Sequence, residues 1–545
     1  MTRGREGLPA LTVAAWLGAV IALVAVGLVV WLGPPAARAA ATGAAAMAVG
    51  YGAGVPALRR ILARRSGIAS VAGAVVDEAI RLRSTLVLLV LVAACIPLLP
   101  LLLDPSERLA YRVQFLVSWS LGTASLFLCV LTACLACGSV CGDIESGRIQ
   151  MTLAKPLARW EYLVGKWLGL VLYGLLLVGL AGIGCATLVW MLAAGPAADA
   201  ADRDAVTGQV LVARRRIAPQ PADPAAYEAA IAAALAQLEA DEADVFRAAP
   251  AAARQRIRRD YDRQWHTVTP DMVTTFVFPG LGRRAADVQL QMEPRVTNVD
   301  VDLADVRFAL WLNGRPWPPA GDEPREQTLP SRARHVFDLP PELVATADDL
   351  EVRIANRNLV PPGETRATAI TFAPGDGLML FVRTGGFTAN LLRCLAITWC
   401  KLALVAAVGV AAAAAFDFPS AILATLVLYA GAVGNDFFRD ALGSYNVVGD
   451  TAWGRAADRM WYAAAHLQEG RIYAAVRMLL GFVTDGVLWA LPSFSADAAI
   501  ASLATGVEIP RSVVLSRLVL FGGVYPLLCG ALGWFVLNRR DLVRG

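Results

Sequence analysis

The sequence predicts a mainly α-helical polytopic membrane protein that carries an inserted extracytoplasmic block, an α-helical hairpin followed by a β-sandwich. Three observations predict it. Hydrophobic residues fill 57% of the 545 positions, and charged residues are held to 17% and gathered into blocks, which is the composition of a membrane protein. Apolar runs of about 20 residues, the length a helix needs to cross a bilayer, recur along the chain. Between two of them, residues 195–387 form a long polar block in which helical periodicity gives way to alternation.

The clear runs are residues 11–33, 84–103, 113–141, 163–194, 388–415 and 515–537, with weaker Ala/Gly-rich runs at 39–57, 418–434 and 474–491. The first is too long, and its cleavage site too poor, for a removable signal peptide, so it reads as an anchor. Arg59, Arg60, Arg64 and Arg65, then Arg81 and Arg83, then Arg148, Lys155, Arg159 and Lys166, and finally Arg539, Arg540 and Arg544 all flank apolar runs. Cytoplasmic loops collect such residues. Placing these groups inside gives a consistent path: residues 1–66 hold a transmembrane hairpin, 84–103 exits, 113–141 returns, 163–194 exits, and residues 195–387 lie outside. Trp453, Trp461 and Tyr462 lie among charged residues in 435–475, a pattern suited to helices along the headgroup layer. Either no span or two spans between 434 and 515 would keep the C-terminal end inside.

The inserted block has two parts. Residues 224–265 are rich in Ala, Glu and Arg with a break near Pro250, which predicts an exposed helical pair. Residues 270–385 change to strands. In "DVRFALWLNGRPW", Val306, Phe308, Leu310 and Leu312 alternate with outward positions, and Asn313-Gly314 is a hairpin-turn dipeptide. Similar alternation marks Val288, Leu290 and Met292, and Leu350, Val352 and Ile354. About 110 residues suffice for an independent core. None of the nine Cys falls in this block, so no disulfide framework holds it.

Several chemistries are excluded. A phosphate-binding P-loop ends in Lys followed by Ser or Thr. The three lysines, Lys155, Lys166 and Lys401, are followed by Pro156, Trp167 and Leu402. Cys134, Cys137 and Cys141 share a helix face but lie in an apolar run without a partner His, where Cys packs as a small hydrophobe. His266, His335 and His466 are scattered, and there is no Gly-x-Ser-x-Gly elbow. The reading therefore has no catalytic residue, no cofactor site, no metal site and no nucleic-acid surface. Lys401 is the intramembrane candidate, a cation near the middle of an apolar run. The plainer alternative has Arg393 and Lys401 reaching to headgroups from an interfacial helix over 388–400.

Residues 143–169, "DIESGRIQMTLAKPLARWEYLVGKWLG", form a short charged loop on the cytoplasmic side. Its pattern predicts a brief amphipathic helix from Ile144 to Leu153, a break at Lys155-Pro156, and a new helix with Pro156 in its first turn. This stretch resembles the coupling-helix region of type-2 ATP-binding-cassette (ABC) permeases. The resembling positions are Glu145, Gly147, Ile149 to Leu153, Lys155-Pro156, Arg159 and Gly165-Lys166. Residues 71–103 are similar to that family's elbow helix and first span, residues 385–434 to its fourth and fifth spans, "LPSFS" (491–495) to the Leu-Pro element before the last span, and "RRDL" (539–542) to its usual ending.

The resemblance implies a six-span permease core with the N-terminal hairpin added. Residues 67–194 make its first half (elbow helix, three spans, coupling helix 144–162), and residues 388–545 make the second. It also implies a bacterial inner-membrane location, a second permease copy as a homo- or heterodimer partner, and a separate ABC ATPase subunit. The ATPase would engage Glu145, Gly147, Arg148, Lys155, Pro156, Arg159, Glu161 and Lys166. Export is the direction implied. The inserted block would bind substrate, receive a periplasmic partner or cap the exit. The rival reading is a membrane-anchored binding or scaffold protein. A secondary transporter would need ionisable residues deep in several spans, and only Lys401 qualifies.

Overall fold

The computed structural model describes residues 35–63, 66–81, 95–149, 157–241, 250–270, 272–281, 287–296, 305–321, 323–344, 348–358, 368–443, 452–494 and 498–539. The run 11–33, most of 84–103, and Lys155 and Pro156 lie outside these residues. The chain divides into two compact units. One comprises residues 1–213, 385–434 and 493–545, and the other residues 214–384 and 435–492.

The first unit is helical. Its helices are α1 (Pro35–Leu62), α2 (Gly67–Arg81), α3 (Leu109–Glu145), α4 (Arg159–Ala193) and the short α5 (Ala200–Ala205). The chain returns with α8 (Phe387–Ala415), the start of α9 (Phe418–Gly443), α12 (Ala499–Ala504) and α13 (Arg511–Arg539). Among the described residues six helices are long and apolar enough to cross a membrane: α3, α4, α8, α9, α13, and α11 (Ile472–Ala490) of the second unit. Where lipid supplies no hydrophobic drive between helices, close packing depends on small residues. A side chain at Gly165 or Gly169 of α4 would collide with α2, since a Cβ on Gly169 would sit 2.7 Å from the Ala72 carbonyl oxygen. Gly43, Gly50 and Gly54 let α1 lie against Leu188, Leu180 and Leu176 of α4 in the same way. The thiols of Cys137 and Cys141 face the Gly409 and Ala413 carbonyls of α8.

Boundaries differ from the sequence reading at the charged loop. Ile144 lies in the last turn of a helix instead of beginning one, because Gly147 takes φ +67° and the Ser146 and Gly147 amides close back on Gly142 and Ile144. The next helix starts at Arg159 instead of Pro156. Glu161 accepts a hydrogen bond from the Ala158 amide at 2.9 Å and so sets that start. The interfacial helix weighed for 388–400 is instead the first part of the unbroken α8.

The second unit opens with β1 (Val212–Ile217) and the hairpin α6 (Pro224–Asp241) and α7 (Pro250–Trp265), tied by Tyr227 Oη donating to Asp262 Oδ1. Strands β2 (Val273–Phe278), β3 (Val288–Met292), β4 (Asp305–Leu312), β5 (Arg315–Trp317), β6 (Gln327–Pro330), β7 (His335–Leu339), β8 (Leu350–Asn356) and β9 (Leu378–Gly386) follow. One antiparallel sheet runs β1-β9-β3-β7; the other runs β6-β4-β8-β2, with β5 paired to β4. Leu290, Met292 and Leu380 of the first sheet and Phe276, Phe308, Leu310, Val352 and Ile354 of the second enter one core. The alternation read in the sequence is therefore the inward face of two stacked sheets. Asn313 and Gly314 form the two-residue turn from β4 to β5, both at positive φ. Strand β1 went unread because Arg214, Arg215 and Arg216 hide its alternation. This unit also holds α10 (Ala452–Gln468) and α11, which pack as a pair.

Candidate coupling region

The charged loop connects α3 to α4, and a buried polar cluster lies at the ends of these two helices that flank it. Lys166 is 4% exposed. Its Nζ is 2.7 Å from Asp143 Oδ2 on α3 and donates to the Ser139 carbonyl at 2.9 Å, and Glu78 Oε2 of α2 is 3.9 Å away. Tyr162 Oη donates to the same Asp143 oxygen at 2.9 Å. A lysine in this setting needs a carboxylate, because burying an unpaired charge costs several kcal/mol. Burial raises the Glu78 carboxyl above its ordinary value, Lys166 pulls it down, Asp143 pushes it up, and Arg148 pulls it down. The cluster therefore fastens α2, α3 and α4 at one level.

Helix α4 is also held from another side. Arg159 Nη1 donates to the Leu537 carbonyl at 2.8 Å, near the last turn of α13, where a cation suits the helix dipole. Trp167 and Trp399 donate to the Ala403 and Val171 carbonyls, each at 2.9 Å, and so tie α4 to α8. Of the residues named from the sequence, Glu145 and Arg148 are exposed, Gly147 turns the chain, and Glu161 caps α4. Lys166 is an internal strut. Asp143, Glu78 and Tyr162 went unnamed; the signal was a carboxylate at each end of short apolar stretches, which acquires meaning only once the helices pack.

Residues 68–203, which span α2 to α5, match the family model described as ABC-2 family transporter protein. That stretch is an ABC-2 type permease region. Neither a curated protein nor a solved structure matches the chain. The match takes in the cluster and the loop it backs. The chain is a multi-pass membrane protein in which this permease region and a separate β-sheet unit occur together.

Lys401 of the permease has a local partner. Its Nζ donates to the Phe494 carbonyl at 2.6 Å and lies 5.7 Å from that ring's centroid. The Phe494 amide in turn donates to the Ala432 carbonyl at 2.9 Å. Lys401 thus pins the Leu-Pro segment before the last span. Nearby, Arg393 pairs with Glu508 at 2.7 Å, and Asn390 bonds the Val507 carbonyl and the Ile509 amide. At the other end of α3, Asp202 of α5 accepts from the Leu109 and Ala110 amides at 2.7 and 3.0 Å, capping α3 from far along the chain.

Proposed function

We propose that this permease is driven by a separate ATPase subunit that docks on the loop of residues 146–158, and that two permease copies form the working assembly. The cluster behind the loop carries this reading. A push on the loop meets α2, α3 and α4 already joined through Lys166, Asp143, Tyr162 and Glu78, so the displacement enters the spans as a rigid-body shift. Exposed Glu145 and Arg148 and the half-exposed Trp160 supply the docking edge, and from the sequence the reading adds Lys155, Pro156, Arg159 and Glu161. The reading places the loop in the bacterial cytoplasm, residues 195–387 outside the inner membrane, and transport in the export direction.

Co-purification with a co-expressed ATPase subunit tests it. Glu145→Arg together with Arg148→Glu is expected to abolish co-purification and the permease-dependent rise in ATP hydrolysis. Undiminished docking and hydrolysis would favour the anchored scaffold, in which the two-sheet unit acts and the loop tolerates change.

A further inference from the structure

A cavity of about 380 Å³ lies in the helical unit, lined by Arg38, Pro100, Arg112, Met191, Leu192 and Pro196 among others. It sits where α1 and α3 begin and α4 ends. That is the opposite end of α3 and α4 from the charged loop, roughly 50 Å away along a helix of this length. None of the described lining residues is acidic. The Nε of Arg112 is buried and makes no hydrogen bond among the described residues, an arrangement that leaves a charged donor unsatisfied.

The surrounding charges are otherwise engaged. Asp104, near enough to feel Arg112, is exposed and bound to the Ser106 amide and hydroxyl at 2.9 and 2.8 Å. Asp202 is taken up by the α3 amides and by the Ala198 amide at 3.1 Å. Arg203 donates to the Ala193 and Gly195 carbonyls at 2.5 and 2.6 Å, which holds the backbone of one wall. Two guanidiniums therefore face a partly apolar cavity at the ends of membrane-crossing helices.

The geometry points to a site for a phosphate group. A guanidinium fork matches phosphate oxygens, and the volume suits a phosphate with a small attached moiety. Pro100, Met191 and Leu192 offer an apolar wall to the rest of an amphiphile. The phosphate comes either from an anionic phospholipid headgroup or from the free anion. This site rests on the cavity alone and stands apart from the ATPase reading.

Delipidated full-length protein in a neutral maltoside detergent tests it. Native mass spectrometry with phosphatidylglycerol and with phosphatidylcholine reads the lipid source, and thermal protection by inorganic phosphate reads the free anion. Wild type is expected to retain phosphatidylglycerol at least tenfold better than Arg112→Gln, with Arg112→Lys between them and phosphatidylcholine weaker throughout. Arg38→Gln, at an exposed position, gives a second loss should Arg112→Gln fold poorly. Protection by phosphate that both Gln variants lose, without lipid retention, would assign the site to the free anion. Retention unchanged by either substitution, or no response to lipid or phosphate, would overturn the site.

Discussion

Lys166 and Asp143 meet at 2.7 Å across the two helices that flank the charged loop, with side chains 5% and 13% exposed. Removing one partner leaves the other charge buried. Lys166→Met and Asp143→Leu should each destabilise the folded protein by about 3–5 kcal/mol, while the double replacement Lys166→Met with Asp143→Leu recovers most of that. Unfolding midpoints of the four proteins in detergent check it, and additive losses would mean the pair is not coupled.

Gly169 touches the backbone of α2, so it tolerates no added side chain. Gly169→Val should cost about 1–3 kcal/mol through overpacking and separate α2 from α4. Cysteine cross-linking between α2 and α4, introduced at Ala72 and a neighbouring α4 position, should fall in the variant at unchanged expression.

Asp202 joins α5 to the start of α3 and predicts an acid-sensitive contact. Burial pushes its carboxyl upward, but the Ala110, Leu109 and Ala198 amides outweigh that and hold it below the usual value of 3.8. The unfolded chain thus binds its proton at a higher pH than the folded chain does. The stabilisation is fully present above about pH 4 and is lost as pH falls through the folded value. Asp202→Asn should lower stability by about 1–3 kcal/mol at pH 7. The gap to wild type should narrow below pH 4, which a pH series of melting curves will show.

Lys401 is expected to behave as a strut. Lys401→Met leaves the Phe494 carbonyl short of its donor and should cost about 1.5–3 kcal/mol, with faster proteolysis between Pro492 and Ala498. Retained stability with lost transport would instead favour a substrate contact.

In the second unit, Asn313 holds φ 49° while its side chain donates to the Leu343 carbonyl and accepts from the Glu351 amide, each at 2.9 Å. Asn313→Ala should lose about 1–3 kcal/mol from those bonds and the strained φ. Asn313→Gly should recover only the part due to φ. Comparing the two melting shifts separates backbone from side chain.

The sequence by itself determined the membrane class, most of the spanning helices, the inward faces of Val306 to Leu312, Val288 to Met292 and Leu350 to Ile354, and the Asn313-Gly314 turn. These are properties of length and period, which hydrophobicity encodes locally. It also marked the charged loop as the place to look. The tertiary structure alone decided what stands behind that loop. Lys166 lies 23 positions from Asp143 and 88 from Glu78, and no local rule relates them until α2 and α4 close on Gly165 and Gly169. The same holds for Asp202 capping α3, Lys401 reaching Phe494, and Arg38 facing the cavity beside Arg112. A buried charge must find its partner wherever packing brings one, and packing joins residues without regard to their distance along the chain.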